Sequence, residues 1–383
     1  MSNTIKKNYY KLNQKDFNDY LNSLKDDPFT LHFFNEYKEN YFYLSNFYTN
    51  KEIIEINVNQ QLFDNTLKSF SIFAQKQIIQ AYLIEEIEAT NKIENIYSTK
   101  HDIFYLINKL FNSKNNNLVS IVKTYEALLK HKYAIPLNHK DIIKIYDDLL
   151  KDMISDKDKL DGKYYRKDHV YISDGIKNVH KGFYPEEIIE TSMKEFIDLN
   201  NNKNLNIYER SLLSHFLIET IHPFYDGNGR VGRFLLSLNI FNNTNSYISL
   251  IISKIINENK NKYYKLLKEA RDYNNFGCLN DYLIEFTKIL NDGIKQEINH
   301  LLEKRLDLEE FKISKQYSKA EIKIINLLKE ASLFSDFGIT NDEIIEYTEL
   351  SRRTVVSTLK KLNNDNLLNN TKISKTYYHK LSK

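Results

Sequence analysis

The chain has one cysteine, Cys278, and no tryptophan among its 383 residues. A single thiol cannot close an intramolecular disulfide or build a multi-cysteine zinc site. That usage fits a reducing, cytoplasmic compartment. Nine glycines and four prolines are few for this length, which argues against a β-sandwich or a collagen-like chain. No run approaches the ~18 apolar residues of a spanning helix. The opening MSNTIKKNYYKLNQKDF lacks the apolar stretch of a secretory signal, so no membrane partner is expected. An excess of one charge is missing too: 54 Lys and Arg face 51 Asp and Glu, a net of +3. That excludes a polybasic arm or an acidic tail as the main feature. No fixed-period repeat is visible, which argues against a solenoid. What is abundant is Asn, Lys, Ile and Tyr, a composition that fits a low-GC bacterial gene. The 42% hydrophobic content supports substantial cores, and the length fits two or three domains.

Apolar spacing predicts a mainly α chain. Ile78, Ile79, Tyr82, Leu83, Ile87 and Ile93 define one helix over about 78–97. Leu212, Leu213, Phe216, Leu217 and Ile221 define another over Tyr208 to Ile221. Short helices follow at Arg233 to Phe241, Lys262 to Asp272 and, after a turn near Gly277, Leu279 to Leu290. A charged helix is expected from Asp292 to Phe311. Gly162 to Pro185 breaks this habit. Val170 and Ile172 alternate, and Asp174-Gly175 and Lys181-Gly182 are turn signals, so the segment reads as a β-hairpin flap. From Ser318 the order is helix, short helix, turn, helix, then two strand-like runs, with Ser351 placed to cap the helix at Arg352. That is the order of a helix-turn-helix with a wing.

The stretch from His222 to Arg233, HPFYDGNGRVGR, carries the chemistry. Pro223 ends the preceding helix and leaves His222 facing a loop. Gly227 and Gly229 permit positive φ around Asn228. A helix beginning near Arg230 offers free amides and a positive dipole end to an anion. Arg230 and Arg233 lie three apart on one face and suit a polyphosphate. Asp226 is a hard oxygen ligand for Mg²⁺, and His222 can act as a base near neutrality.

Taken singly, each of these has a plainer role: a helix-end histidine, a Gly-Asn-Gly turn. A calcium loop is excluded by Arg230 at a ligand position. No Walker motif or dinucleotide fingerprint is present. His215, Glu219 and His222 fall at helical spacing, but HExxH is absent and a zinc site is not expected.

Taken together, the twelve residues resemble the Fic (Fic/Doc) signature HPFx[DE]GNGRxxR at every defined position. GKYYR at Gly162 to Arg166, the flap, and NKYYKLLKEARD at Asn261 to Asp272 also look like family segments. The resemblance implies a Fic-type helical bundle with a β-hairpin flap. It implies the transfer of AMP from ATP to a Ser, Thr or Tyr hydroxyl of a protein, this chain being one candidate target. His222 would deprotonate the hydroxyl, and Asp226 would hold Mg²⁺. Gly227, Asn228 and Gly229 would cradle the α- and β-phosphates, Arg230 would support the β-phosphate, and Arg233 would take the γ-phosphate. Phe224 would anchor the loop. Ile176, Lys177, Asn178, Val179 and His180 of the flap would align the target by strand-like pairing. Tyr263, Tyr264 or Arg271 would line the adenine side, although the tryptophan often found after that helix is replaced by FGCLNDYL.

TNKIEN at Thr90 to Asn95 resembles the family's inhibitory motif [ST]xxxE[GN]. Thr90 and Glu94 lie at i and i+4 on one helix face. A bidentate pair between Glu94 and Arg233 would take the arginine that the γ-phosphate needs. The implied layout is a helical region over 1–100 containing the inhibitory helix, a catalytic core over 101–290 with its flap at 170–185, a linker helix over 291–315, and a winged helix-turn-helix over 316–383. From Lys319 onward 11 Lys and Arg stand against 8 Asp and Glu, a modest footprint for DNA. Arg352, Arg353, Thr354, Ser357, Lys360 and Lys361, with Lys372 and Lys375 in the wing, are its candidate contacts. Packing or homodimer formation is the alternative use of that unit. Rival readings of the whole are removal of AMP, another nucleotide or phosphate transfer at the same site, and a DNA-binding regulator whose core senses ATP.

Overall fold

The computed structural model describes residues 4–34, 40–108, 116–173, 178–310, 317–335, 337–373 and 375–382. Among them the chain forms sixteen α-helices and three small antiparallel sheets. The N-terminal part comprises α1 (Thr4–Lys11), α2 (Gln14–Lys25), a hairpin of β1 (Thr30–Phe33) and β2 (Tyr41–Leu44), α3 (Phe47–Lys68) and α4 (Ile72–Ile93). Then come α5 (Lys100–Ile107), α6 (Val119–Leu129), α7 (His139–Leu150), the pair β3 (Tyr171–Ser173) and β4 (Asn178–Lys181), and α8 (Glu186–Asn200). The centre is α9 (Ile207–Ile221) and α10 (Asn228–Thr244), followed by α11 (Ile252–Glu258), α12 (Lys260–Ala270) and α13 (Asn280–Glu310). The last unit is α14 (Lys319–Phe334), β5 (Ile339–Thr340), α15 (Asn341–Thr348), α16 (Arg352–Asn364), β6 (Leu368–Ile373) and β7 (Thr376–Leu381). Its sheet runs β5-β7-β6. No helix among the described residues is long and apolar enough to cross a membrane.

Two buried helices organise the rest. Every residue from Tyr208 to Ile221 of α9 is buried, and α10 is buried almost throughout as far as Phe241. Helices covered on all sides sit in the middle of a bundle. Here α8, α10 and α13 surround α9, while α4, α7 and α11 reach α10. A capping box at Asn206 and Glu209 starts α9.

Three expectations change. The inhibitory helix, expected over about 78–97, spans Ile72–Ile93, because Ser71 caps it early and Asn95 takes a left-handed φ of 58° just after it. The two helices expected at Leu279 to Leu290 and Asp292 to Phe311 are the single α13. No breaker separates them, and Gly293 leaves room for Ile255 of α11. The N-terminal region, expected to be helical, contains the β1–β2 hairpin. Its aromatic run at Tyr41 to Tyr43 is a strand former. The hairpin docks on the turn at Gly277, where Phe42 N–H donates to Gly277 O at 2.8 Å. Gly277 has a φ of 78°, and a Cβ there would overlap Asn40 O.

The C-terminal unit rests directly on α4 and α5. Phe73 of α4 is buried in that unit's own core with Ile324, Ile344 and Val355. Phe70 meets Phe334 edge-on at 5.2 Å, and Phe104 stacks on Phe337 at 3.8 Å. Ser71 Oγ donates to Glu330 at 2.6 Å. Deleting the Phe73 ring should therefore leave a cavity between the units. Phe73→Ala is expected to cost roughly 3–5 kcal/mol, and the neighbouring, exposed Ile72→Ala to stay within about 0.5 kcal/mol. Urea unfolding of the two variants checks the contrast.

Candidate active site

The loop between α9 and α10 is built to be rigid. Pro223 follows His222 and disfavours the helical conformation before it. His222 ends α9 with φ 54° and ψ 62°, a left-handed conformation unusual for a residue with a Cβ. Phe224 is fully buried and stacks on Tyr146 of α7 at 4.2 Å. Asn228 closes the loop on itself: Phe224 N–H donates to its Oδ1 at 2.9 Å, and its Nδ2 donates to Phe224 O at 2.8 Å. The Asn228 side chain thus staples the loop, and its position leaves the backbone to face any ligand. Gly227 has a φ of 84°, and a Cβ there would overlap Leu150.

Helix α10 starts at Asn228, two residues before the expected Arg230. Both arginines of the motif are buried, at 1% exposure each. Arg230 Nη2 pairs with Asp226 at 3.0 Å, and Asp226 Oδ1 accepts from Gly227 N–H at 2.6 Å. The Asp226 side chain remains 49% exposed. Arg233 reaches α4: its Nε donates to Thr90 Oγ1 at 2.9 Å, and its Nη2 to Thr90 O at 3.0 Å and Glu94 Oε1 at 2.8 Å. The pairing with Glu94 is one-pronged, not the expected bidentate fork: Arg233 Nη2 is shared between Glu94 and Thr90 O, and Nε goes to Thr90 Oγ1.

Glu94 lies at the carboxyl end of α4, where its charge opposes the helix dipole, and beside the amino end of α10, where charge and dipole agree. Gly229 permits this approach, since a Cβ there would overlap Glu94 Oε1. Gly229 is helical, so its role is close approach and not the positive φ expected from sequence. Lys260 Nζ donates to Ile93 O at 2.7 Å and so holds the end of α4 in place.

The expected adenine-side residues separate. Tyr263 is 1% exposed, with its hydroxyl on His215 Nε2 at 2.9 Å, so it stands behind the site. Tyr264 is 42% exposed. Arg271 Nε donates to Thr220 Oγ1 at 3.1 Å and its guanidinium lies over Phe216. Of the flap residues, Ile176 and Lys177 lie outside the described residues, while Asn178, Val179 and His180 lie in β4. In the last unit Arg353, Ser357, Lys360, Lys372 and Lys375 are exposed and Thr354 is half-buried. Arg352 pairs with Asp342, and Lys361 with Glu321 at 2.7 Å. Sequence reasoning missed Lys260, and it singled out GKYYR without giving Arg166 a role, because each acts on chain that is distant in sequence.

Burial sets the electrostatics. It works against the Arg233 charge, but Glu94, Tyr263 and Glu219 together outweigh it and raise the guanidinium pKa. Burial, with Arg233 nearby, lowers His215 to about 3, so its ring is neutral. Burial pushes Glu86 of α4 up to about 7 against its hydrogen bonds from Ser253. Glu219 is pushed up to about 7 by burial, against the pull of Arg233. Its Oε1 is buried without a hydrogen bond beside Gly232.

Residues 136–239 match the Fic/DOC family. A probable protein adenylyltransferase from Aquifex aeolicus is 33% identical over 89 residues, covering 23% of this chain and 26% of that protein. The protein adenylyltransferase Fic of Drosophila virilis is 27% identical over 151 residues, 39% of this chain and 28% of that one. The chain thus spans only 26–28% of these relatives' length. Among solved structures, a Fic family protein from Desulfovibrio desulfuricans shares the fold with a TM-score of 0.55 at 17% identity, over 89% of this chain and 97% of that one.

The Glu219 shift fixes a pH dependence. A carboxyl whose folded pKa is about 7 against an ordinary 4.5 binds its proton more tightly in the folded state. Its contribution to stability is therefore complete below pH 4.5 and is lost as pH rises to about 7. Relative to Glu219→Gln, the parent should lose on the order of 3 kcal/mol across that window. Denaturant titrations at several pH values check this.

Proposed function

We propose, from the Fic/DOC match over residues 136–239, that this chain transfers AMP from ATP to a hydroxyl side chain of a protein. The observation that carries the reading is one juxtaposition. His222 sits in a strained turn, six residues before the amino end of α10 is reached, and that helix end bears two buried arginines.

The residues divide the work. The first amides of α10 lack intrahelical acceptors and suit phosphate oxygens. The buried Arg230 Nε has no hydrogen bond, which leaves it a donor for an anion. Arg233 would take the terminal phosphate. His222 accepts the proton of the target hydroxyl as that oxygen attacks the α-phosphorus in line with the departing pyrophosphate. Asp226 fits a Mg²⁺ ligand: its carboxylate is hard and half-exposed, and each oxygen keeps lone pairs beyond its one contact. When bound, that ion would neutralise phosphate charge.

The same geometry supports inhibition from within the chain. Glu94 places a carboxylate on Arg233 and against Gly229, where a phosphate would sit. ATP must displace it or bind in an unproductive pose. The C-terminal unit, with Ser351 capping α16 and a three-stranded sheet beside it, supports a winged-helix assignment.

Intact mass spectrometry after incubation with ATP and Mg²⁺ tests the proposal. Glu94→Gly should gain one or more AMP units and the parent far fewer. Adding His222→Ala to Glu94→Gly should abolish the gain. Equal labelling of parent and Glu94→Gly would remove the inhibitory role of Glu94. Labelling that survives His222→Ala would remove the base.

A further inference from the structure

We infer that Arg166 is a positioning residue that ties the His222 turn to both ends of the β3–β4 hairpin. Its catalytic consequence rests on reading His222 as the base. Arg166 is fully buried. Its guanidinium gathers main-chain carbonyls from three separate stretches. Nε donates to His222 O at 2.9 Å. Nη1 donates to Asp168 O at 2.5 Å, three residues before β3. Nη2 donates to Phe183 O at 2.8 Å, two residues after β4, and approaches Ile221 O at 3.5 Å. The Arg166 main-chain N–H completes the tie by donating to Pro223 O at 3.3 Å.

A planar fork with five donors can serve these directions at once, whereas a lysine ammonium on a flexible stem cannot. The neighbouring chain is shaped around it. A Cβ on Gly182 would overlap Arg166 Nη2 and press on His222 Cβ at 3.1 Å. Gly182 N–H donates to Val170 O, and Phe183 N–H to Ile221 O, each at 3.0 Å. Asp168 N–H donates to Tyr225 Oη at 3.0 Å, a second link from the hairpin to the loop. The left-handed backbone at His222 persists only if its surroundings over-determine it. Arg166 grips its carbonyl. A target strand laid on the hairpin and the base that meets its hydroxyl are thereby held in one frame, and proton transfer needs that placement to within about an ångström.

The test uses the full chain carrying Glu94→Gly, with Arg166→Lys, Arg166→Met or Gly182→Ala added. Gly182→Ala displaces the guanidinium without removing it, and so covers the case in which an Arg166 variant fails to fold. Amide exchange at position 182, Phe183, His222 and residues 224–228 should quicken by about tenfold or more, as expected for losing hydrogen bonds to a charged group. Exchange in α13 should stay as it was. AMP transfer should fall roughly 100-fold in kcat with the KM for ATP unchanged, because the α10 end is untouched. Unchanged exchange overturns the positioning role. So does retained turnover, or a loss of ATP affinity that parallels the loss of kcat. Should Glu94→Gly itself transfer no AMP, the transferase reading falls, and the exchange measurement still decides what Arg166 does.

Discussion

A buried guanidinium needs partners, and Arg233 is where this fold meets that need. Removed from water at the start of a central helix, its charge is costly unless hydrogen-bonded and neutralised. Thr90 and Glu94 supply both from a helix far away in sequence. That requirement fixes the last turn of α4 against the first turn of α10. Gly229 then has to be a glycine, and Lys260 is positioned to bind the carbonyl that α4 leaves open. On the proposed reading, site and obstruction are one construction: the buried charge that would attract a phosphate to Arg233 is the charge that Glu94 neutralises.

Helix α4 links this construction to the C-terminal unit. Its first turn lies in that unit's core through Phe73, and its last turn lies on Arg233. Twenty-two helical residues separate the two ends, about 33 Å at 1.5 Å per residue. Between them Glu86 is buried on Ser253 of α11, so the rod is fastened along its length.

Much of this was legible because local chemistry announces it. Pro223 stops a helix wherever it occurs, and Gly227 tolerates the left-handed turn that starts the next one. Apolar spacing located α9, and the TNKIEN pattern picked out Thr90 and Glu94 before any contact was visible. The expected bidentate Glu94–Arg233 fork does not form, and this was not legible because Thr90 also accepts from Arg233 Nε and Nη2. Tyr263 and Tyr264 are adjacent and chemically alike, yet one is sealed against His215 and the other faces outward. Only the packing of α12 on α13 separates them. The β1–β2 hairpin was missed within an expected helical region because its strands are short and its dock is the distant Gly277 turn.

The sequence by itself determined α9, the break after it at Pro223 and the chemical repertoire of residues 222–233, since these follow from backbone sterics and side-chain type acting over a few residues. The tertiary structure alone decided that Thr90 shares the Arg233 donors with Glu94, that Asn228 staples its own loop, and that Arg166 gathers carbonyls from three stretches of chain. Those contacts join positions up to 143 residues apart, and no local pattern encodes a partner at that distance. Burial adds the final reason: the same glutamate titrates in the ordinary range in water and near neutrality under α10, and only the folded packing sets which it is.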